Sequence, residues 1–230
     1  MDKLFLRAKP WMLFIPLFLP YVYQGVARGA WMDGLNAVIT LDGKVGTTRA
    51  VEDMMGGLAR FVSLYAIIYA VALLVTLGWQ WSVVKRLHGS LPPGTGLKRK
   101  NFAVAVGLYL VAATVMTYLF TQVYSVVYSL YRWGAMESDE LNESFTGFTS
   151  WFGVAFLCGI LMFGLTIYLN YFVGKLIRSV ELGKPARGSD YLGYSLLSYF
   201  LVIGVWILQP KVQRYLASGT TAKPGDESVW

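Results

Sequence analysis

Five stretches of this chain contain no Asp, Glu, Lys or Arg, and they constrain its fold more than any other feature. They cover residues 10–27, 61–84, 101–131, 144–174 and 191–210. A helix needs about 20 apolar residues to cross the ~30 Å hydrocarbon core of a bilayer, and each stretch reaches or approaches that length. With 56% hydrophobic and 14% charged residues, the chain is also more apolar than a soluble domain needs to be. The sequence therefore predicts an all-α fold, a polytopic membrane helix bundle with about five transmembrane helices.

The predicted spans belong to one transmembrane domain of residues 1–216, followed by a disordered tail at 217–230. They lie at about 10–27, 61–84, 101–131, 150–174 and 191–209. Pro16 and Pro20 interrupt the first span and no cleavage site follows it, so we expect this span to be retained. An external segment at 28–60 separates spans one and two. Its Asp42-Gly43 turn favours a small hairpin between residues 38 and 45, and residues 48–60 have the pattern of a short amphipathic helix.

The distribution of Lys and Arg predicts the orientation, because basic residues near span ends are preferentially kept on the cytoplasmic side. The N-terminal tail and the loops after spans two and four hold twelve of the 20 basic residues. We therefore expect a multi-pass protein of the cytoplasmic (inner) membrane with its N-terminus in the cytoplasm. Lys211 and Arg214 leave the side of the C-terminus open: it is external if all five spans cross, and cytoplasmic if one span is re-entrant.

The basic loop residues are candidate contacts for anionic headgroups of the lipid bilayer or for a partner protein's acidic surface. Because they lie in short loops beside apolar spans, they favour these contacts and not nucleic acid, despite a net charge of +7. The expected partners are thus the lipid bilayer and a protein partner or a second copy of the chain. The candidate contact residues are Lys85, Arg86, Lys98, Arg99, Lys100, Lys175, Arg178, Lys184 and Arg187.

Span three carries a polar face. Neutral polar side chains recur there at intervals of three or four, which places them on one broad side of a helix. Lipid offers such groups no hydrogen-bond partners, so we expect the face to turn inward, towards span four or an aqueous cavity. Two interpretations stay open: hydrogen bonding between helices, or a polar pathway or ligand pocket. The candidates are Thr114, Tyr118, Gln122, Ser125 and Ser129 on span three, with Thr166 and Asn170 on span four.

The sequence predicts no catalytic residues, no metal site and no cofactor. No Asp, Glu, Lys, Arg or His lies at mid-depth in a span, which disfavours proton relays and ion-coupled transport. His88 is the single histidine and is expected to be solvated at the interface, while Cys158 is expected to be a packing residue. The acidic residues between Glu137 and Glu143 are expected to form a solvated loop. Gly94-Thr95-Gly96 lacks the strand context and the following Lys of a phosphate-binding loop.

Aromatic and polar residues near the span ends fit the headgroup layer. We expect Trp79 and Trp81 to lie in an aromatic belt at the interface. Pro210 is expected to end or kink the last span, with the amide of Gln209 at the interface and Lys211 reaching the headgroups. Ser189 and Asp190 are expected to cap the start of span five.

Two segments carry a resemblance to known proteins. Residues 78–102, GWQWSVVKRLHGSLPPGTGLKRKNF, and residues 168–215, which include VGKLIRSVEL and GVWILQPKV, make up about a third of the chain. They resemble a set of uncharacterised small multi-span membrane proteins common in Bacteroidota. The resemblance implies a cytoplasmic-membrane protein and brings no activity with it.

Two functions are compatible with these patterns, and a third is disfavoured. The first is a non-enzymatic accessory or scaffolding subunit of a membrane complex, favoured by the neutral spans and small extramembrane portions. The alternative is an oligomeric passive channel or facilitator for a small solute or ion, built on the polar face of span three. A lipid-modifying enzyme would need a nucleophile and base at the interface, which the basic rim does not provide.

Overall fold

The computed structural model describes the backbone of residues 2–40, 48–132 and 138–218. Side chains are described for residues 5–26, 28, 56–57, 60–61, 63–119 and 151–217. Over the described backbone the chain forms seven α-helices and two short 3-10 helices, with no β-strand. The α-helices are α1 (Asp2–Arg7), α2 (Pro10–Thr40), α3 (Thr48–Leu87), α4 (Arg99–Arg132), α5 (Ser138–Leu182), α6 (Leu192–Tyr199) and α7 (Leu201–Ser218). The 3-10 helices are His88–Ser90, after α3, and Gly188–Tyr191, before α6.

Three helices are long and apolar enough to cross a membrane. Their segments are Ser63–Ser90, Arg99–Leu119 and Trp151–Leu182, with mean hydropathies of 1.8, 2.0 and 2.2. A fourth span results if the broken pair Gly188–Tyr199 and Leu201–Ala217 counts as one crossing. The predicted all-α class is thus confirmed, together with helices suited to a membrane. The finer count of five spans stays a prediction.

The segment expected to be external is largely helical. Helix α2 continues through Pro16 and Pro20 as far as Thr40, and α3 begins at Thr48. The hairpin prediction is wrong for its first arm, since residues 38–40 are helical; residues 41–47 lie outside the described part of the chain. Proline inside a membrane helix is tolerated because neighbouring groups can satisfy the carbonyls that lose their partner.

The acidic stretch before span four also differs from the expected loop. Helix α5 begins at Ser138, so Asp139, Glu140 and Glu143 lie in its first two turns. Negative residues are favourable there because the amide end of a helix carries partial positive charge. Glu137 lies outside the described residues.

The chain divides into two compact units. The first contains Met1–Arg86 and Phe200–Ala217, and the second contains Leu87–Tyr199. The predicted single domain of residues 1–216 stays a prediction. Each unit has its own buried core, and each is described separately below.

The core of the first unit forms where α7 packs among the N-terminal segment and the C-terminal half of α3. Leu201, Val205, Leu208 and Val212 are each at most 4% exposed and recur at four, three and four residues, so they lie along one stripe of α7. From α3 the core receives Trp79 and Val83, from α2 Leu13 and Leu17, and from the N-terminal segment Leu6 and Ala8.

The core of the second unit lies between α4, the C-terminal half of α5, and α6. The rings of Phe102 and Phe172 pack with centroids 5.0 Å apart and are both nearly fully buried. Helices α5 and α6 approach each other closely at Gly174. A Cβ built there would lie 2.5 Å from the amide nitrogen of Ser195 and 2.7 Å from its Cα, so no larger residue fits without a backbone shift.

Candidate functional site

A polar network that joins three segments of the chain surrounds Gln209. This side chain is 0% exposed, and its Oε1 accepts a hydrogen bond from Trp79 Nε1 at 2.6 Å. Its Nε2 donates to the backbone carbonyls of Phe5, Leu6 and Ala8 at 2.9, 3.2 and 3.0 Å. One amide thus joins α7 to α3 and to the N-terminal segment. We call Gln209, Gln213, Trp79 and these three carbonyls the glutamine network.

Two carbonyls of this network, those of Phe5 and Leu6, belong to the end of α1, and the third, that of Ala8, follows directly after it. Helix α1 ends at Arg7, and the last four carbonyls of an α-helix have no amide donor from their own helix. Gln213, one turn beyond Gln209 on α7, donates from its Nε2 to Leu6 O at 2.9 Å and to Ala8 O at 3.1 Å. The two glutamines therefore act together as side-chain caps for the chain between α1 and α2.

The side chains of Gln209 and Trp79 differ from the sequence-based expectation. Both are 0% exposed and bonded to each other, so neither is available to lipid headgroups, and their depth in a membrane stays a prediction. In addition, α7 runs through Pro210 to Ser218, so the proline does not end the helix. The sequence does indicate that Gln209 needs a hydrogen-bond partner, because a polar amide inside an apolar helix must find one when no water is near. The periodicity of the helix does not identify that partner.

Glycine at position 78 allows the N-terminal segment to come close to α3. A Cβ built on Gly78 would meet Phe5 Cζ at 2.7 Å and Cε2 at 2.8 Å. Two carbon atoms that are not bonded to each other do not approach so closely, so the ring of Phe5 occupies the space that the Cβ of any other residue at position 78 would need. The N-terminal segment is thus held both by this apolar contact with α3 and by its hydrogen bonds to Gln209.

An open cleft of about 610 Å³ adjoins the glutamine network within the first unit. Two exposed arginines, Arg7 and Arg86, line it together with the half-buried Gln213. The rest of the wall is apolar. The lining residues are Leu6, Arg7, Arg86, Gln213, Leu216 and Ala217.

A second polar cluster joins α5 to α6 in the second unit. Glu181 Oε2 accepts from Arg178 Nη1 at 2.7 Å and from the Tyr194 hydroxyl at 2.5 Å, and the Arg178 guanidinium lies 5.7 Å from the centroid of the Tyr194 ring. Nearby, Lys175 Nζ donates to the Tyr171 hydroxyl at 3.1 Å. These side chains hold the end of α5 against the start of α6.

The nine basic residues predicted as headgroup or partner contacts therefore fall into two groups. Arg178 and Lys175 are half-buried and engaged within the chain, so they are less available than the sequence suggested. Seven are exposed: Lys85, Arg86, Lys98, Arg99, Lys100, Lys184 and Arg187. Of these, Arg86 is the one that lines the cleft.

The polar face of span three does not turn inward where its side chains are described. Thr114 and Tyr118 are exposed on α4, and the Thr114 hydroxyl donates to Leu110 O, one turn back, at 2.9 Å. A hydroxyl satisfied by its own helix needs no second helix, which explains why the expected inward turn is not required. Gln122, Ser125 and Ser129 lie in the same helix, but their side chains fall outside the described residues.

The two predicted partners on span four are likewise bonded along their own helix. Thr166 Oγ1 donates to Met162 O at 2.8 Å, and Asn170 Nδ2 donates to Thr166 O at 2.8 Å. Asn170 is 7% exposed. The structure therefore buries Asn170 on α5, whereas Thr114 and Tyr118 are exposed on α4.

His88 has a structural contact that the sequence did not suggest. It is half-buried, and its Nε2 donates to the carbonyl of Leu97 at 3.0 Å across the loop between α3 and α4. Within the same loop the buried Thr95 hydroxyl donates to Pro92 O at 2.6 Å, while Gly94 adopts the left-handed φ of 84°. The loop is thus closed by its own polar groups. Asp190 Oδ2 accepts from the Arg187 amide at 3.2 Å, so it caps the 3-10 helix Gly188–Tyr191. The predicted cap of span five by Ser189 and Asp190 stays a prediction.

No three His, Cys, Asp or Glu side chains come together as a metal-binding group among the residues whose positions the structure describes. The prediction that the protein takes no metal and no cofactor stays a prediction. The one cysteine, Cys158, is half-buried on α5.

Helix α5 presents a bare apolar surface over residues 151–168, where the description of its side chains begins. Only 6% of its most apolar 18-residue window is buried. Gly153 and Gly164 are exposed, and a Cβ on either would meet nothing within 4 Å. Eleven residues at about 100° each place them within about 20° of one another, on one face. Gly159 lies about 120° further around and is the glycine that contacts α4, through Met116 Cε at 3.8 Å. We call the side that carries Gly153 and Gly164 the glycine face of α5.

Comparison of the chain with protein-family models, with curated proteins and with solved structures finds no match in any of the three. The resemblance to the Bacteroidota membrane proteins therefore stays a prediction.

Proposed function

We propose that this protein is a non-enzymatic accessory or scaffolding subunit of a membrane complex, and that it docks on its partner through the glycine face of α5. The observation that carries the proposal is the pair Gly153 and Gly164, open on one side of a helix that buries no side chain between residues 151 and 168. Helices in lipid associate where small residues let their backbones approach closely, whereas contact with lipid needs no glycine. Large apolar neighbours such as Leu157 and Ile160, 66% and 55% exposed, add area to the same side.

The proposed complex lies in the cytoplasmic membrane, with five crossings and a cytoplasmic N-terminus. The exposed Lys98 and Lys184, in the loops after spans two and four, support this orientation. The single cysteine makes labelling straightforward. With Cys158→Ser as background, Lys98→Cys and Lys184→Cys should react with an impermeant maleimide only after the cells are opened; labelling in intact cells would contradict the orientation.

The test of the partner surface is affinity recovery of the full chain from native membranes in mild detergent. The variant Gly153→Leu with Gly164→Leu should lose a partner that the wild type recovers at near-stoichiometric amounts. Gly107→Leu is the matched control, because Gly107 is exposed with nothing within 4 Å of a Cβ but lies on α4. The glycine-face variant and the Gly107 control both replace exposed helical glycines by leucine, whose helix propensity is more favourable by about 0.8 kcal/mol per site. Neither variant should therefore unfold the protein.

Recovery of the wild type alone, with no partner near stoichiometry, would contradict the accessory role. Equal loss of partner in the glycine-face variant and in the Gly107 control would contradict the assignment of the surface. Thermal unfolding in detergent, followed by circular dichroism, establishes that each variant is folded before its recovery is compared.

A second candidate function is an oligomeric passive channel or facilitator for a small solute or ion. It is supported by the exposure of Thr114 and Tyr118, because a pore formed between copies needs its polar face on the outside of each chain. In liposomes, Gln122→Leu should then reduce flux per folded protein. This function would be excluded if the variant conducted as much as the wild type. It would also be excluded if liposomes with the wild type showed no more flux than empty liposomes.

A further inference from the structure

The cleft in the first unit joins two unlike surfaces. Arg7 and Arg86 bring two permanent positive charges, and Leu216 and Ala217 bring an apolar wall from the end of α7. None of its six lining residues is acidic. Its volume, about 610 Å³, falls within the range of about 300 to 1,000 Å³ that small-molecule sites occupy. The cleft therefore suits a molecule that is anionic at one end and apolar at the other.

The wall around Arg7 is held in place by the glutamine network. The carbonyls on both sides of Arg7, those of Leu6 and Ala8, each accept from Gln209 and from Gln213. The backbone that presents the Arg7 side chain is thus fixed by four hydrogen bonds. Arg86 lies on α3 between the buried residues Val84 and Leu87, which are 1% and 2% exposed, so its backbone is also anchored. A site whose backbone is already ordered loses less entropy when a ligand binds.

We infer that this cleft binds the phosphate-bearing headgroup of an anionic lipid, with the two arginines on the phosphate and the first acyl carbons against Leu216 and Ala217. Guanidinium groups present a planar fork of donors that matches phosphate oxygens in a bidentate manner. Basic pockets at the ends of membrane helices are suited to lipid headgroups. A soluble phosphate would leave the apolar wall in water, whereas an acyl chain removes that surface from water.

The test is a binding titration of the purified full-length protein in mild detergent, read by native mass spectrometry. Phosphatidylglycerol is the anionic lipid, phosphatidylcholine is the lipid without net charge, and glycerol phosphate is the soluble phosphate. Phosphatidylglycerol should bind at least about tenfold more tightly than either of the others. Arg7→Gln and Arg86→Gln should each weaken phosphatidylglycerol binding by about tenfold, as expected for a hydrogen bond to a charged group.

The control removes the same charge beside the cleft without touching its lining. Lys9 and Arg214 are exposed, and each is a near neighbour in sequence of a lining residue. Lys9→Gln with Arg214→Gln should keep phosphatidylglycerol binding within about threefold of the wild type, since screened surface charges contribute little. A loss equal to that of Arg7→Gln with Arg86→Gln would show diffuse surface attraction and overturn the proposal. Binding of glycerol phosphate as tight as that of phosphatidylglycerol would overturn the lipid assignment.

A third variant keeps the test decisive if the arginine variants fail to fold. Ala217→Trp places a large ring in the cleft near the end of α7 and leaves both arginines unchanged. Because Ala217 is exposed, the folded protein should tolerate the substitution. Phosphatidylglycerol binding should fall by about tenfold or more; binding at the wild-type level would show that the lipid does not occupy the cleft.

Discussion

Replacing Gln209 by leucine should be among the most destabilising single changes in the first unit. The substitution nearly conserves volume, so it creates no large cavity, and its effect comes from the hydrogen bonds it removes. Trp79 Nε1 loses its acceptor, and Phe5 O loses the donor that Gln209 provides. Leu6 O and Ala8 O retain Gln213.

The magnitude follows from counting the groups left without a partner. A buried donor or acceptor left unsatisfied costs about 1–3 kcal/mol. Trp79 Nε1 and Phe5 O are two such groups, so Gln209→Leu should lower the free energy of unfolding by about 2–6 kcal/mol. Gln213→Leu leaves both of its acceptors bonded to Gln209 and should cost only about 0.5–1.5 kcal/mol, the net value of an ordinary hydrogen bond.

The assay is unfolding in mixed micelles at increasing denaturing detergent, followed by far-ultraviolet circular dichroism. A double-mutant cycle with Trp79→Phe isolates the contact, because removing both polar partners leaves nothing unsatisfied between them. The cycle should give a coupling energy of about 1–3 kcal/mol. The reasoning is refuted if Gln209→Leu costs no more than Gln213→Leu, or if the coupling energy falls below about 0.5 kcal/mol, the usual limit of additivity.

Two further predictions concern the second unit, both measured by the same unfolding assay. Gly174→Ala should destabilise by about 1–3 kcal/mol, because the new methyl group would lie 2.5 Å from the backbone amide of Ser195. Gly107→Ala, with open space around it, should instead raise the free energy of unfolding by up to about 1 kcal/mol. A change of the same sign in both variants would contradict the close approach of α5 and α6 at Gly174. Glu181→Gln should cost about 1 kcal/mol, because its carboxylate serves both Arg178 and Tyr194 from a partly exposed site; no change would show that the cluster is dispensable.

The helices were the most predictable part of the structure. Uncharged apolar runs of 20 to 31 residues can satisfy their backbone only as helices in lipid, so α3, α4 and α5 coincide in type with spans two, three and four. The ends were less predictable. Thr48 begins a helix about thirteen residues before the uncharged run does, because charged residues at a helix end cost little where water is near. Charge marks the part of a helix that enters lipid and not where the helix stops.

Polar residues were harder to interpret, because the sequence gives their positions on a helix but not their partners. The polar face of α4 was expected to face inward, yet the Thr114 hydroxyl bonds to its own backbone and the residue is exposed. Gln209 was expected at the interface, yet it is fully buried. Threonine can return its hydroxyl to the carbonyl one turn back, whereas the glutamine amide extends away from its own helix and reaches another segment. The length of the side chain, and not its polarity, separates the two outcomes.

The glutamine network could not be predicted from a residue pattern in the N-terminal segment. Its contribution consists of the backbone carbonyls of Phe5, Leu6 and Ala8, which every residue type supplies. Specificity therefore resides on the other side, in the two glutamines of α7, one turn apart, which match carbonyls exposed by the end of a helix. Other apolar side chains should therefore be tolerated at positions 6 and 8 as long as they fit the core. The break between α1 and α2 at Pro10 is needed, because it leaves those carbonyls without backbone donors. Extending α1 as a continuous helix into α2 would supply backbone amides to the same carbonyls. The amide group of the fully buried Gln209 would then lose its three acceptors, and that of the half-buried Gln213 would lose both of its own.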